Sequence, residues 1–419
     1  MDNKELTPKI RFAGFTDPWE QRKLGDKMFI KARIGWQRLT KKEYLDSGEY
    51  YLITGTDIDE GSHTVDLSRS YYVSRERYEA DANIQMTEGD IIVTKDGTIG
   101  KVAILNGLDK PATLNSHLFV LRDLSGTLDT QFLLQVLISP VFQDFVESTK
   151  TGSTLTGMPQ KTIVEFSFLM PSLQEQKSIA SLLGELDNLI TLHQRKYEKL
   201  QNIKKSMLEK MFPRDGSNIP EVRFAGFTDP WEQRKFGELV LIERGGSPRP
   251  IDDYITDSPD GLNWIKIGDA PEHGRYINST KEKIKPEGLS KTRQVQPGDL
   301  ILSNSMSFGR PYIMGIHGCI HDGWLLIRDE QEKFDLTFLC HMLGTDQMLD
   351  QYRMYAAGST VNNLNKELVG NTTVSIPSKA EQQIIGQFFE HIDDTITLHQ
   401  RKLEKLKNIK KSMLESMFV

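Results

Sequence analysis

The chain of 419 residues is long enough for two or three domains, and with 38% hydrophobic residues it can build ordinary cores. A formal net charge of −6 argues against a uniformly basic nucleic-acid-binding protein, although a sum over the chain hides local patches. Two cysteines are too few for a disulfide framework or a zinc site of cysteines. The sequence lacks an apolar leader and any run of 18 apolar residues, which predicts a soluble cytoplasmic protein.

The first predicted element, residues 1–25, contains the segment RFAGFTDPWEQRK at 11–23, which returns unchanged at 223–235. Its DPWE sequence at 17–20 fits the first turn of a short helix that ends at Gly25. We expect the tryptophan of each copy to lie in a core, because packing is a commoner role for this residue than ligand binding.

Two mixed α/β globules follow the repeated segments, at 26–170 and 238–376. They share a skeleton, since LITGTDI in the first aligns with WIKIGDA in the second, GDIIVTKDGTIGKVAIL with GDLILSNSMSFGRPYIM, and TGST with AGST. The sequences between these segments differ, which indicates that the two globules share a backbone frame but differ in their surfaces. Within them the residue periodicity predicts strands at 91–94 and 102–105 and helices at 131–149 and 336–355.

A long helix is predicted after each globule, at 171–213 and 377–419, with a linker and the second repeated segment at 214–237 between them. The two helices agree at 19 of 22 positions over 191–212 and 397–418. Each opens with Ser-x-x-Glu, the pattern of a capping box, and carries apolar residues at spacings of three and four. Such a stripe needs a partner, so we predict an antiparallel coiled coil of the two helices, related by a pseudo-twofold axis, with one globule at each end. The alternative is two unrelated helices, each packed on its own domain.

The order of these parts carries a family resemblance. The same parts follow one another twice, over essentially the whole chain: RFAGFTDPWEQRK with LG or FG after it, a variable globule, GST, a PSLQEQ-type helix start and a long helix with LHQRK. This layout resembles the specificity subunit of type I restriction-modification systems. The resemblance implies two α/β target recognition domains separated by conserved spacer helices, and a bipartite, asymmetric DNA target with a fixed nonspecific gap.

The resemblance also implies partners and chemistry. A subunit of this kind binds two methyltransferase (modification) subunits and, through the complex, two ATP-dependent restriction subunits, while adenine N6 is methylated in the target. We expect no cofactor to be bound by this chain, because S-adenosylmethionine, ATP and Mg are used by the partners. The residues alone lead only to a two-headed reader on a spacer, and duplex DNA suits such a reader because it has dyads of its own.

Candidate DNA contacts lie in two loops of each globule. Lysine suits phosphates, whereas asparagine, serine and arginine suit base edges, and glycines let the backbone approach a phosphate. The alternative for each residue is a glycine hairpin shaped for packing, with its polar groups in water. On this basis the predicted DNA-binding residues are Lys95, Thr98, Lys101, Asn115, Ser116, Asn304, Ser305, Ser307, Arg310 and His321.

Catalytic motifs are missing from the sequence. GTIGK at 97–101 matches only half of a P-loop, and no NPPY-type or DPPY-type methyltransferase tetrad, H-E-x-x-H helix or G-x-S-x-G elbow occurs. His193 and His399 lie in the predicted helix seam, where packed or half-exposed imidazoles are a commoner explanation than a metal pair. We therefore assign no catalytic residue and no metal site.

Three functions remain open at this point: a DNA-reading specificity subunit, a coiled-coil scaffold that joins protein partners without DNA recognition, and a nuclease that acts alone.

Overall fold

The chain folds into two compact units, and each long helix begins in one unit and ends in the other. Unit 1 contains residues 1–194 and 402–419, and unit 2 contains residues 195–401. The computed structural model describes residues 7–33, 39–123, 125–150, 157–214, 216–272, 274–304, 308–356 and 363–418. The TGST and AGST segments lie outside these ranges. No helix in the described ranges combines the length and the apolar content needed to cross a bilayer.

The strands of unit 1 form one two-stranded, one four-stranded and one six-stranded sheet, with the orders β1-β12, β6-β3-β10-β7 and β2-β11-β8-β9-β5-β4. The pairs β3–β10 and β5–β9 are parallel, and the other pairs are antiparallel. The strands are β1 (Glu20–Lys23), β2 (Met28–Ala32), β3 (Tyr50–Ile53), β4 (Ile58–Asp59), β5 (Thr64–Val65), β6 (Tyr71–Val73), β7 (Gln85–Met86), β8 (Ile91–Thr94), β9 (Val102–Ile104), β10 (Ala112–Leu114), β11 (Leu118–Asp123) and β12 (Ser167–Met170). The helices are α1 (Leu24–Lys27), α2 (Arg75–Glu79), α3 (Thr130–Ile138), α4 (Pro140–Lys150), α5 (Gln160–Ile163) and α6 (Leu173–Lys210).

Unit 2 repeats the core of this topology, but its two larger sheets have five strands each. The sheet orders are β13-β24, β14-β23-β20-β21-β17 and β15-β18-β16-β22-β19. The two parallel pairs recur as β16–β22 and β17–β21. The strands are β13 (Glu232–Lys235), β14 (Leu241–Arg244), β15 (Ile255–Thr256), β16 (Leu262–Ile265), β17 (Tyr276–Ile277), β18 (Glu282–Ile284), β19 (Arg293–Val295), β20 (Leu300–Ser303), β21 (Pro311–Met314), β22 (Gly318–Ile320), β23 (Trp324–Arg328) and β24 (Thr373–Ile376). The helices are α7 (Leu336–Leu343), α8 (Asp346–Ala356), α9 (Lys366–Gly370) and α10 (Lys379–Met417). The predicted mixed α/β repeat is confirmed.

The central strand of each globule is buried on both faces. In β8, Ile91 and Val93 belong to the core that packs on the helices, whereas Ile92 faces the core between the two sheets. Neighbouring residues of a strand point to opposite faces, so an unbroken apolar run fits this central position. β20 divides its side chains between two cores in the same way.

The repeated front segment does not form the predicted short helix. Residues 20–23 are the strand β1, which pairs with β12 in the register Glu20↔Met170, and β13 pairs with β24 in the same manner. Only the four residues of α1 are helical. The prediction was wrong because a partner strand about 150 residues later satisfies the backbone of this segment, and tertiary pairing outweighs a local capping signal.

The predicted helices at 131–149 and 336–355 are each two helices. The first breaks between α3 and α4 at Ser139, before Pro140, and the second breaks at Gly344 and Thr345. A residue before proline avoids the α conformation, which explains the break in unit 1.

A buried ion pair fixes the front segment to the start of each long helix. Arg11 donates from Nε and Nη2 to the two carboxylate oxygens of Glu175 at 2.7 and 2.8 Å, and Arg223 binds Glu381 with the same distances. The glutamates are 1% exposed. Only half of the predicted capping box forms, because Ser172 accepts from the Glu175 amide while the Glu175 carboxylate binds arginine instead.

Each unit buries the end of one long helix against the start of the other. In unit 1, Phe418 packs on Phe132, which packs on Trp19, with ring centroids 5.7 and 6.3 Å apart. In unit 2, Phe212 takes the same place beside Trp231 at 6.0 Å. The prediction of a core role is confirmed for both tryptophans, which are 2% exposed.

The helix segments of unit 2 run in opposite directions. Lys204 of α6 pairs with Asp393 of α10. Phe212, two residues past the end of α6, has its ring centroid 6.1 Å from that of Phe389, which is earlier in α10 than Asp393. In unit 1 the equivalent pair is Asp187 with Lys410. Near the start of α6, Glu175 binds Arg11, and the neighbouring Ile10 amide donates to the Ser416 carbonyl near the end of α10. The predicted antiparallel pairing therefore holds within each unit.

Replacing Phe418 by alanine should destabilise unit 1 by about 3–5 kcal/mol, because it empties a site that the surrounding aromatic rings cannot refill. Urea unfolding followed by tryptophan fluorescence measures this loss. Leu192→Ala is the matched control on α6, since Leu192 is 46% exposed. Equal losses in the two variants would contradict a packed helix end.

Candidate nucleic-acid interface

The loop between β8 and β9 and the loop between β20 and β21 have the same backbone frame. The Thr94 amide donates to the Lys101 carbonyl at 3.0 Å, and the Ser303 amide donates to the Arg310 carbonyl at 3.0 Å. The hydroxyl of Thr94 or Ser303 accepts from the amide of Lys101 or Arg310, again at 3.0 Å. One frame thus presents lysine in unit 1 and arginine in unit 2.

Glycine closes each of these loops against the helices behind it. Gly100 has a φ of +88°, and a Cβ built on it would lie 3.1 Å from Cγ1 of Val146. Its counterpart Gly309 has a φ of +75° and would bring a Cβ to 2.8 Å from Leu349. Both the left-handed backbone and the close approach require glycine here.

A second loop lies beside the first in each unit. The Lys95 amide donates to the His117 carbonyl at 2.9 Å, and the Asn304 amide donates to the Gly323 carbonyl at 2.9 Å. Both partners belong to the turn that leads into the last long strand of the globule, β11 or β23. The structure therefore brings the two predicted contact loops of each globule together.

Asn115 and His321 occupy equivalent positions in this second loop. Oδ1 of Asn115 accepts from the His117 amide at 3.0 Å, and Nδ1 of His321 accepts from the Gly323 amide at 2.9 Å. Different side chains thus make the same bond. For His321 this bond fixes the tautomer, with the proton on Nε2 facing Asp322 at 3.0 Å.

The two predicted asparagines lie inside the loops rather than on their surface. Asn115 is 5% exposed and Asn304 is 2% exposed, and Nδ2 of Asn304 donates to the Asp322 carbonyl at 2.8 Å. These positions show a loop-shaping role, and direct contact with DNA stays a prediction for both. Ser305 and Ser307 lie outside the described residues.

The remaining predicted residues are reachable from solvent. Thr98 is exposed, and Lys95, Lys101, Ser116, Arg310 and His321 are half-buried. Lys101 forms an ion pair with Glu60, and Nζ of Lys95 lies 5.9 Å from the centroid of Phe119. Arg310 donates from Nη2 to the Glu272 carbonyl at 2.6 Å. Each cation has a local partner that an incoming phosphate would have to replace.

A cleft opens beside each first loop. The cleft of unit 1 has a volume of about 420 Å³ and is bordered by Glu60, His63, Thr98 and Lys101. The cleft of unit 2 is larger, about 810 Å³, and Arg275 and Arg310 stand in the places of His63 and Lys101. Burial, together with the charge of Lys410, lowers the pKa of His63, so its imidazole is neutral at neutral pH. Two arginines in the second cleft thus occupy the places that a neutral imidazole and a lysine occupy in the first.

Two polar residues near these loops, His117 and Arg33, are not among the predicted DNA contacts. His117 places Nδ1 3.2 Å from the Asp96 carboxylate and ties the first loop to the second. Arg33 is buried and donates to the Leu114 carbonyl and the Thr113 hydroxyl at 3.0 and 3.2 Å, and burial lowers its pKa. The Asp-Gly pair at 96–97 signals a turn, but nothing in the sequence indicates its histidine partner 21 residues away.

Within the described residues, no group of three or more histidine, cysteine, aspartate or glutamate side chains is placed to hold a metal ion.

The sequence model of the type I restriction modification DNA specificity domain matches the chain twice, at residues 16–202 and 228–408. The chain belongs to this family. The resemblance noted in the sequence is thereby confirmed, and the role of the chain lies in DNA sequence specificity. Each match covers one globule and most of the long helix that follows it.

Two relatives of known sequence agree with this assignment. A protein of Methanocaldococcus jannaschii, provisionally named the MjaX type I restriction enzyme specificity subunit, is 24% identical over 98% of this chain and 95% of its own length. The MjaVIII specificity subunit of the same organism is 24% identical over 79% of this chain and 78% of its own.

The fold matches two solved structures of the type I restriction-modification system. The S subunit from M. genitalium has a TM-score of 0.63 at 16% identity, covering 99% of each chain. A structure from work on complex assembly and conformational transition of the type I R-M system has a TM-score of 0.51 at 15% identity, covering 96% of this chain and 98% of that chain.

Replacing Gly100 by alanine should destabilise unit 1 of this specificity chain by about 2–3 kcal/mol, because the Cβ adds a clash with Val146 to the cost of a left-handed backbone. Gly97→Ala is the matched control. Gly97 has a φ of +73° but no atom within 4 Å of the added Cβ, so it should cost only about 1 kcal/mol. Thermal unfolding of both variants separates the clash from the backbone strain. Equal Tm values for the two variants would contradict a clash at Gly100.

Proposed function

We propose that this chain is the DNA-reading subunit of a type I restriction-modification complex and that it reads a bipartite, asymmetric target. Each globule would read one half-site, and the long helices would set a fixed gap between the half-sites. The chain would direct adenine N6 methylation or restriction by partner subunits without catalysing either reaction.

The observation that carries this proposal is the repeated loop frame with unlike side chains. Equivalent hydrogen bonds hold Lys101 in one unit and Arg310 in the other, and equivalent turns hold Asn115 and His321. A scaffold that only joins proteins has no need of two different polar surfaces on one frame. Two readers of different base sequences do need them, because each base pair presents its own pattern of donors and acceptors.

The proposed partners follow from the family. Two methyltransferase subunits would bind this chain in the cytoplasm, and ATP-dependent restriction subunits would join through the complex. S-adenosylmethionine, ATP and Mg would be used by these partners rather than by this chain. The carboxylate-bound state of Lys101 fits a surface that exchanges an internal ion pair for DNA phosphate.

Binding to duplex DNA, measured with and without a methyltransferase partner at several salt concentrations, tests the proposal. We expect sequence-specific binding whose affinity falls steeply with salt, since phosphate contacts release counterions. Absence of specific binding in the assembled complex would favour the alternative of a scaffold that joins proteins without reading DNA.

Exchanging residues 26–170 for the globule of another specificity chain should change one half of the methylated motif and leave the other half and the gap intact. Mapping N6-methyladenine across a genome gives both half-sites at once. The reciprocal exchange of residues 238–376 is the control and should change only the other half. A change in both halves after a single exchange would contradict independent readers.

Inserting four residues after Gln194 of α6 and four after Gln400 of α10 should lengthen the gap by about one to two base pairs. Four residues add about 6 Å to a helix, and a base pair occupies about 3.4 Å of duplex. The two insertion points are equivalent in the repeat and keep the helix stripes matched. A changed half-site with an unchanged gap would contradict the spacer role.

A further inference from the structure

One carboxylate in unit 2 joins both long helices to the globule. Asp393 of α10 lies 2.6 Å from Nζ of Lys204 on α6, 3.0 Å from Nη2 of Arg275 and 3.1 Å from Nε2 of His341 on α7. The side chains of Arg275, His341 and Asp393 are 8%, 5% and 13% exposed. We call these four residues the junction cluster.

The junction cluster has a defined hydrogen-bond arrangement. Nδ1 of His341 lies 2.8 Å from the Thr337 carbonyl, and Nε2 lies 3.1 Å from Oδ2 of Asp393 and 3.2 Å from Nη1 of Arg275. Burial lowers the pKa of His341, and its contact with the Asp393 carboxylate opposes this shift. Burial alone would raise the pKa of Asp393, but His341 and Lys204 bring it to about 2. Asp393 is therefore ionised and faces two cations.

Unit 1 contains the same arrangement at equivalent positions. Asp187 of α6 pairs with Lys410 of α10 and accepts from Nε2 of Gln135 on α3 at 2.9 Å. Asp187, Lys204 and Gln135 are each 206 positions before their counterparts Asp393, Lys410 and His341. The helix carboxylate and its lysine partner are thus identical in both units, whereas the globule supplies glutamine in one and histidine with arginine in the other.

The junction cluster also reaches the candidate DNA loop. The Arg275 carbonyl accepts from the Ile313 amide at 2.7 Å, and Ile313 lies in β21, which begins directly after Arg310. The cluster borders the same cleft as Arg310. A shift of the globule on the helices would therefore move this loop.

Buried ion pairs add little net stability, because desolvation offsets most of their attraction. They are directional, however, and a salt bridge that is displaced by an ångström leaves buried charges unpaired, which costs several kcal/mol. We infer that Asp393 and Asp187 are positioning residues that hold each globule in one orientation on the helix pair and so restrict the target to one gap length. This inference rests on the proposed bipartite target.

The test uses the full chain in complex with its methyltransferase partner. Methylation is measured by sequencing a DNA library in which both half-sites are kept and the gap is varied by one and two base pairs. For Asp393→Asn and Asp187→Asn we expect at least a tenfold rise in methylation of neighbouring gaps relative to the correct gap, with the half-site bases unchanged. Asp394→Asn, a change at the exposed neighbour on α10, should keep the wild-type preference.

Variants of Lys204 provide a second test in case the aspartate variants fail to fold, because Lys204 is 28% exposed and tolerates substitution better. Lys204→Met should weaken the preference for one gap length, and Lys204→Arg should keep that preference. A purely structural role would not produce this difference. Variants that lose methylation in proportion at all gaps, or that keep the wild-type gap, would overturn the positioning role alone. A wild-type complex without any fixed gap would overturn the proposed function and this inference together.

Discussion

The burial of each long helix's last turn is the constraint on which the rest of the structure depends. An isolated helix of 38 or 39 residues with an apolar stripe is not stable in water unless the stripe is covered. Here the cover comes from the other helix and from an aromatic core that the repeated front segment completes through its tryptophan. Because Phe212 and Phe418 insert at equivalent places, the core of each unit needs a helix that started in the other unit. Neither globule with its own helix alone would bury the same surface.

The main buried contacts of the front segment recur in both units, which agrees with its unchanged sequence. Arg11 binds a glutamate of the long helix, Trp19 packs beside the buried phenylalanine, and β1 pairs with the strand that leads into the helix. A substitution in one copy would leave a buried carboxylate or an aromatic cavity, each of which costs several kcal/mol. The partly exposed loop residues Lys101 and Arg310 have no such restriction, since their side chains reach solvent while backbone groups and the hydroxyls of Thr94 and Ser303 hold the frame.

The long helices and the twofold repeat could be predicted from the sequence, because periodicity and self-similarity are signals that a single chain carries. The elements predicted wrongly depend on partners that are distant in the sequence. β1 is a strand only because β12 is there to pair with it, and Glu175 leaves its capping box because Arg11 offers a stronger partner. The two candidate loops of each globule lie beside each other, but Asn115 and Asn304, which the sequence predicts as DNA contacts, lie inside these loops. Their amides serve the turn itself, and no residue pattern separates a side chain that caps a turn from one that faces a ligand.

The exchange of Asn115 for His321 shows how such a frame can change its surface without losing its shape. An amide oxygen and an imidazole nitrogen both accept from the amide two residues later, so the turn survives the replacement. The exposure then differs, since the carboxamide of Asn115 is buried whereas the ring of His321 is half-buried and faces Asp322. Lys101 and Arg310 follow the same rule, because their backbone bonds are identical while a point charge is replaced by a planar fork of donors. A globule can thus acquire a new polar surface by substitutions that leave its hydrogen-bonded frame, and its attachment to the helices, in place.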